Sequence, residues 1–195
     1  MGQRRTGTTR RLAAGSGSGS GSGSIDRGRL VIELSALLLT CAPLVAADTA
    51  EALVHVESGG NPFAIGVVGG ALVRQPASLA EAVATVAQLE ATGWNYSVGL
   101  GQINKRNFRR YGLTATSAFE PCNNLKAMQG ILQECFTRAR RQRPDPTALG
   151  DALSCYYSGN FATGHRHGYV AKVVAAWTSR RGRAPVTNSQ PRPLP

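Results

Sequence analysis

The sequence has 195 residues and a formal net charge of +11, and this length suits one domain with a sizeable core. Residues 1–30 hold six Arg and one Asp, and residues 178–195 hold four Arg and no acid, whereas residues 31–177 carry twelve basic and ten acidic groups. Basic tails attract any polyanion but read no base sequence, which argues against specific nucleic-acid binding as the main function.

The N-terminal part contains two different segments. Residues 1–30, with five Gly-Ser repeats, are predicted to be disordered. Leu30 to Ala47 is apolar and follows two Arg residues, as in a signal peptide. Cleavage after Ala47 would, however, remove Cys41 and uncover the next helix. We therefore expect residues 31–47 to belong to a domain spanning 31–177, and we expect no transmembrane anchor.

The first predicted helix of the domain ends at an acidic residue. Asp48 and Glu51 have the spacing of a capping box, and Gly59-Gly60 supplies the stop. Counting back from Glu57 by helical spacing gives only apolar residues: Ala46, Ala50 and Leu53. A carboxyl group on an apolar face keeps its proton to higher pH, so Glu57 is the candidate general acid.

The middle of the chain is predicted to form an irregular, glycine-rich segment suited to the wall of a cleft, followed by one helix. Residues 61–70 are too rich in glycine for a helix. Ser78 and Glu81 form a second capping box, and the helix that they start is predicted to end at Gly93. Trp94 is equally suited to stacking on a sugar ring and to a core position.

Gly99 to Asn104 reads Gly-Leu-Gly-Gln-Ile-Asn. Its glycines allow a ligand to approach the backbone, and its amide side chains can bind sugar hydroxyls or acetamido groups. The competing interpretation is a buried strand and turn. Asn104 is predicted to cap a short helix that runs through Tyr111 and stops at Gly112.

Three helices are predicted after Pro121. The longest begins there, with Leu125, Met128 and Leu132 on its apolar stripe. The next runs from Thr147 to Gly159, and the last from Tyr169 to about Trp177. His165 and His167 are interpreted as surface residues, and residues 178–195 as a disordered, Pro-rich tail.

Four cysteines are present, with no CxxC pair and no clustered His that would indicate a metal site. Cys122 and Cys135 lie on one predicted helix about 20 Å apart, which is too far to pair. Cys41 is therefore expected to pair with one of them or with Cys155. Disulfides indicate an oxidising compartment, the periplasm or the cell exterior.

Several of these motifs, in this order, resemble the lysozyme-like lytic transglycosylases. The matching stretches are Glu57-Ser58, Gly99 to Ile103, Asn124-Leu125, Cys155 to Asn160 and Gly168-Tyr169-Val170. The resemblance is strongest to the dedicated transglycosylases of type IV secretion systems. It implies a mainly α, lysozyme-like (α+β) fold, in which a helical domain has a small irregular or β region beside a substrate cleft.

The resemblance also implies cleavage of peptidoglycan between N-acetylmuramic acid and N-acetylglucosamine, with 1,6-anhydromuramic products. Glu57 is the expected catalytic residue. The expected substrate-binding residues are Ser58, Ser97, Gln102, Asn104 and Tyr156. No cofactor and no metal is expected. The implied partners are peptidoglycan strands and type IV secretion components, and the implied location is the periplasm.

The distribution of acidic residues agrees with that chemistry. Glycosidases generally use two carboxyl groups, yet no Asp or Glu occurs from Ser58 to Ala80. One carboxyl group suffices if the substrate's acetamido oxygen attacks the anomeric carbon. The alternatives are a hydrolytic lysozyme using Glu57 with water and Glu81, and an inactive wall-binding assembly module.

Overall fold

The computed structural model describes residues 27–142 and 147–181. Over these ranges the chain forms seven α-helices and a three-stranded antiparallel sheet. The helices are α1 (Arg27–Cys41), α2 (Ala47–Ser58), α3 (Leu79–Ala91), α4 (Pro121–Gln142), α5 (Thr147–Ser158), α6 (Thr163–Arg166) and α7 (Tyr169–Arg181). The strands are β1 (Ile65–Val67), β2 (Tyr96–Val98) and β3 (Ile103–Asn104). The predicted mainly α, lysozyme-like fold with a small β region is confirmed.

Helix α4 is the central support of the molecule. It begins at Pro121, where the missing N–H breaks no hydrogen bond within the helix. The predicted stripe is buried, with Leu125 and Met128 completely inaccessible to solvent. Helix α5 packs against α4, and α2 packs against α7. The end of α2, which carries Glu57, is therefore held by helices from the C-terminal part of the chain.

Two disulfides tie helices to α4. Cys41 at the end of α1 is bonded to Cys122, and Cys135 is bonded to Cys155 of α5. Cys122 and Cys135 thus have separate partners, as predicted. On the segment before α2, Leu38, Cys41 and Ala42 are buried in the core. In the described ranges, none of the helices combines the length and apolar character needed to cross a bilayer.

We expect the Cys41–Cys122 bond to be present in protein purified without reducing agent. Replacing Cys122 with Ala is expected to lower the free energy of unfolding by about 3 to 4 kcal/mol, because the bond joins residues 81 positions apart. Urea denaturation measures this loss, and the two proteins should be equally stable under reducing conditions. Peptide mapping should recover Cys41 joined to Cys122; a mature terminus at Asp48 would contradict this expectation.

The sheet is built around one hairpin. Strand β2 lies between β1 and β3, with Ile65 opposite Val98 and Ser97 opposite Asn104. Residues 99–102 form the turn between β2 and β3. On the free side of β1, the Gln75 side chain bonds both the N–H and the carbonyl of Ile65. These contacts hold the glycine-rich segment beside the hairpin.

The predicted capping box of α2 is wrong. The residue at its N-cap is Ala46, which makes no side-chain capping bond, and Asp48 lies within the first turn. The Glu51 carboxylate accepts hydrogen bonds from Ser35 at 2.5 Å and from Arg180 at 2.7 Å. Glu51 therefore joins α2 to α1 and α7 and does not cap its own helix.

The other predicted helix ends agree better with the structure. Ser78 caps α3, while Glu81 accepts the N–H of Ala77 at 2.8 Å. Asn104 caps a 3-10 turn (Lys105–Asn107) that is followed by a second (Arg109–Tyr111) ending at Gly112. Helix α7 extends to Arg181, four residues beyond its predicted end, and the Arg180 contact with Glu51 gives those residues a packed partner.

Candidate active site

Glu57 lies in the last turn of α2. Gly59 follows in the left-handed conformation at φ 63° and donates its N–H to the carbonyl of His55, which ends the helix at this point. Leu53 and Val54 in the preceding turn are fully buried. Burial raises the pKa of Glu57 from 4.5 to about 7, against the opposing effect of a hydrogen bond from Tyr169. A carboxyl with this pKa can both donate and accept a proton near neutrality.

Tyr169 is the residue that contacts this carboxyl. Its hydroxyl donates to Glu57 Oε1, and its ring is stacked on Tyr157 with centroids 4.6 Å apart. Burial and then the charge of Glu57 raise the pKa of Tyr169 well above its usual value, so the phenol stays protonated as a donor. Tyr169 belongs to the Gly168-Tyr169-Val170 motif, but the sequence predicted no role for it in the site.

The hairpin turn forms the neighbouring surface. Tyr156 donates its hydroxyl to the Gly101 carbonyl at 2.5 Å, and Met128 packs against the same glycine. Burial, followed by the charge of Glu57, raises the pKa of Tyr156. The hydrogen bond that Tyr156 donates is to the turn. A larger side chain at Gly101 would collide with both Met128 and Tyr156.

Gln102 also holds the turn. It has a positive φ of 48°, which is uncommon for a residue with a side chain. Its Nε2 donates to the carbonyls of Ala64 and Gly99 at 3.0 and 3.1 Å. The side chain thus joins the glycine-rich wall to the hairpin, and its N–H groups are turned toward the backbone. Of the competing interpretations for this stretch, strand and turn describe its backbone.

Asn124 secures the same turn from α4. It is fully buried, and its amide accepts the N–H of Gly101 at 2.7 Å while donating to the carbonyls of Val98 and Ala118 at 2.9 and 2.7 Å. A Cβ at Gly99 would collide with this amide. The Asn124-Leu125 motif therefore has a structural explanation: Asn124 satisfies three buried backbone groups of the loops next to the site.

We expect Asn124→Ala to lower the free energy of unfolding by about 2 to 4 kcal/mol, because it leaves three buried backbone groups unpaired. Chemical denaturation measures this loss. Asn123→Ala is the matched control on the neighbouring exposed position, and its effect should stay within about 0.5 kcal/mol. Equal stabilities for the two variants would contradict the role given to Asn124.

The remaining predicted binding residues bond within the protein. Ser58 Oγ donates to the Val54 carbonyl and accepts from the N–H of Gly60, so it closes the end of α2. Asn104 Nδ2 donates to Ser97 Oγ at 3.2 Å across the two strands. Tyr156 and Gln102 thus bond the turn, while Ser97 and Asn104 lie farther along the hairpin.

The carboxylates that follow Glu57 have other partners. Glu81 pairs with Arg74, and Glu90 accepts the Tyr96 hydroxyl at 2.6 Å. Across the described ranges, no group of three or more His, Cys, Asp or Glu is arranged to hold a metal ion. His165 lies 3.0 Å from Asp151, and His165 and His167 are both exposed, as predicted. Trp94 is exposed, which decides against a core role for its ring.

Comparison with known proteins identifies the family of this chain. The model of the transglycosylase SLT domain family matches residues 39–174. The type IV secretion system protein virB1 of Brucella abortus is 50% identical over 153 residues, which cover 75% of this chain and 64% of that protein. Protein virB1 of Agrobacterium fabrum is 36% identical over 138 residues, covering 70% and 56%. The alignments thus span less than two thirds of either relative's length. No solved structure gives a significant match.

Proposed function

This chain belongs to the transglycosylase SLT domain family, and from that membership we propose that it is a peptidoglycan lytic transglycosylase. It cleaves the β-1,4 bond between N-acetylmuramic acid and N-acetylglucosamine and leaves 1,6-anhydromuramic ends. The observation that carries this proposal is the Glu57 carboxyl, whose pKa is raised to about 7 by burial. It is followed by a segment without any other acidic residue up to Glu81.

In the first step, protonated Glu57 donates its proton to the glycosidic oxygen. The acetamido oxygen of the muramic acid attacks the anomeric carbon as the bond to the leaving sugar breaks. The product is a cyclic oxazolinium on the muramic acid and a free hydroxyl on the departing sugar. Tyr169, which donates to Glu57 Oε1, keeps the carboxyl in a fixed orientation during this transfer.

In the second step, the Glu57 carboxylate accepts the proton of the muramic acid C6 hydroxyl. The C6 oxygen then attacks the anomeric carbon, the acetamido oxygen leaves, and the 1,6-anhydro ring closes without water. Glu57 is protonated again and ready for another cycle. One carboxyl group with a pKa near neutrality is suited to both proton transfers.

The substrate lies between the end of α2 and the hairpin in this proposal. Backbone groups of the turn contact the glycan, the partly exposed side chains of Ser97, Gln102 and Asn104 border it with the polar atoms that their internal hydrogen bonds leave free, and Ser58 and Tyr156 support the surface. Residues 31–177 form the catalytic domain. Peptidoglycan strands are the substrate, and no cofactor takes part.

We further propose that the protein works in the periplasm and opens the wall locally for a type IV secretion system, whose components are its partners. Two observations support this. Relatives with up to 50% identity carry the name virB1, one of them as a type IV secretion system protein. All four cysteines are in disulfides, which form in oxidising compartments.

The test is mass spectrometry of the fragments that the purified protein releases from peptidoglycan. The proposal expects anhydromuramic ends. Reducing ends would identify a hydrolytic lysozyme instead and would require a second carboxylate, with Glu81 the first to replace. No release at all would favour a wall-binding assembly module.

A further inference from the structure

A basic surface follows strand β3. Residues 105–110 contain Lys105, Arg106, Arg109 and Arg110 and no acid, so four of the twelve basic groups of residues 31–177 fall within six positions. We call these six residues the basic turn. They form two consecutive 3-10 turns, in which residues three apart share a side. Arg106 and Arg109 are exposed, whereas Phe108 is buried against the core.

Two of the four cations are used inside the protein. Lys105 Nζ donates to the Trp94 carbonyl at 2.5 Å, and Arg110 pairs with Glu134 at 2.6 Å. Arg106 and Arg109 form no ion pair within residues 27–142 and 147–181. Their guanidinium groups are therefore available to an anionic ligand.

The hairpin sets the position of the basic turn relative to the site. Trp94 precedes β2 and Lys105 follows β3, so their hydrogen bond closes the open end of the hairpin. The other end is the turn that contacts Tyr156. Strands of this length separate the two ends by about 10 Å. A glycan that follows the hairpin away from Glu57 therefore reaches exposed Trp94 and the basic turn after a few sugars.

We propose that Arg106 and Arg109 bind carboxylates of the peptide stems attached to muramic acid residues, so that the enzyme prefers peptide-bearing glycan to bare glycan. This inference rests on the proposed function. In intact peptidoglycan the lactyl carboxyl is held in the amide bond to the stem, so the free carboxylates are those of the stem peptide. Guanidinium groups bind carboxylates through paired hydrogen bonds, and the exposed Trp94 ring offers a stacking surface for an adjacent sugar.

The test compares intact peptidoglycan with the same material stripped of its stems by an amidase, after the lactyl carboxylates that this hydrolysis exposes have been converted to neutral amides. The variant is Arg106→Gln with Arg109→Gln. We expect cleavage of intact material to fall about tenfold, since two exposed ion pairs each contribute a few-fold, and cleavage of stripped material to stay unchanged. Arg141→Gln with Lys172→Gln removes two other exposed cations and is the control for net charge; it should cleave both substrates like the wild type.

Pelleting with the same two materials separates this inference from the catalytic one. Protein carrying Glu57→Gln should bind intact material more tightly than stripped material, and the added Arg106 and Arg109 substitutions should remove that preference. If the protein prefers intact material in this binding test but the wild type cleaves neither material, the proposed function is contradicted and this inference is still supported. Equal losses of cleavage on both substrates, or no loss on either, would overturn the inference.

Discussion

We expect Glu57→Gln to lower the release of anhydromuramic fragments from peptidoglycan by about 1,000-fold or more. The amide can neither donate a proton to the glycosidic oxygen nor accept one from the C6 hydroxyl, and each transfer is worth about 100- to 10,000-fold. Gln has nearly the same size and can still accept the Tyr169 hydroxyl, so the fold should persist. Fragment release measured by mass spectrometry tests the loss, and circular dichroism tests the fold.

The pH dependence gives this variant a second readout. The catalytic form of Glu57 is protonated at the start, so the wild-type rate should fall as the pH rises through about 7. The free energy of unfolding is expected to depend on pH in the same direction as the rate. Because folding raises the pKa of Glu57 from 4.5 to about 7, the protonated carboxyl favours the folded state below 4.5, and that advantage is lost as the pH rises through about 7.

The Gln variant has no such titration. As the pH is raised from the lower to the higher of these two pKa values, the free energy of unfolding of the variant should increase relative to that of the wild type by about 2 to 3 kcal/mol. Urea denaturation at the two limits measures the difference. Persistent cleavage by the variant, or a pH-independent difference in stability, would contradict the assignment of Glu57.

The sequence was sufficient for the position of Glu57 because helical spacing is a local property. Apolar residues three and four positions before Glu57 put its carboxyl on the buried face, and the glycines after it ended the helix in the structure as predicted. The same kind of spacing predicted the start and stripe of α4. Local patterns of this kind depend on neighbours along the chain, so they survive folding with little change.

The residues around Glu57 were harder to predict, because contacts distant in sequence decide their roles. Gln102 and Tyr156 bond the backbone of the turn and its neighbours, and Asn124 reaches that turn from 23 residues away. Glu51 had the spacing of a capping residue, but partners on α1 and α7 engage its carboxylate. Nothing in local spacing distinguishes an amide that binds substrate from one that holds a loop.

Tyr169 shows most clearly that local patterns do not predict contacts between distant residues. Two tyrosines were candidates for the same role beside Glu57. Tyr156 and Tyr169 both belong to motifs of the family resemblance, and the resemblance implied a role in the site for Tyr156. In the structure the phenol that reaches Glu57 comes from the start of α7, 112 residues away. Only the packing of α2 against α7 brings these two residues together.

Tyr169→Phe should therefore lower kcat about 10- to 100-fold, because Glu57 loses the group that fixes its orientation. It should also move the alkaline limb of the pH–rate profile to higher pH. The Tyr169 hydroxyl lowers the pKa of Glu57 against the larger effect of burial, so its removal leaves the carboxyl protonated over a wider range. Rates measured across this pH range on intact peptidoglycan test both effects.

Tyr157→Phe is the matched control. Its ring is stacked on Tyr169 and its hydroxyl lies toward His167 rather than Glu57, so the same substitution there should leave the profile where it is. A role for Tyr169 in packing alone would lower activity or stability without moving the limb. A shift caused by Tyr169→Phe but not by Tyr157→Phe would identify Tyr169 as the residue that positions the carboxyl and tunes its proton affinity.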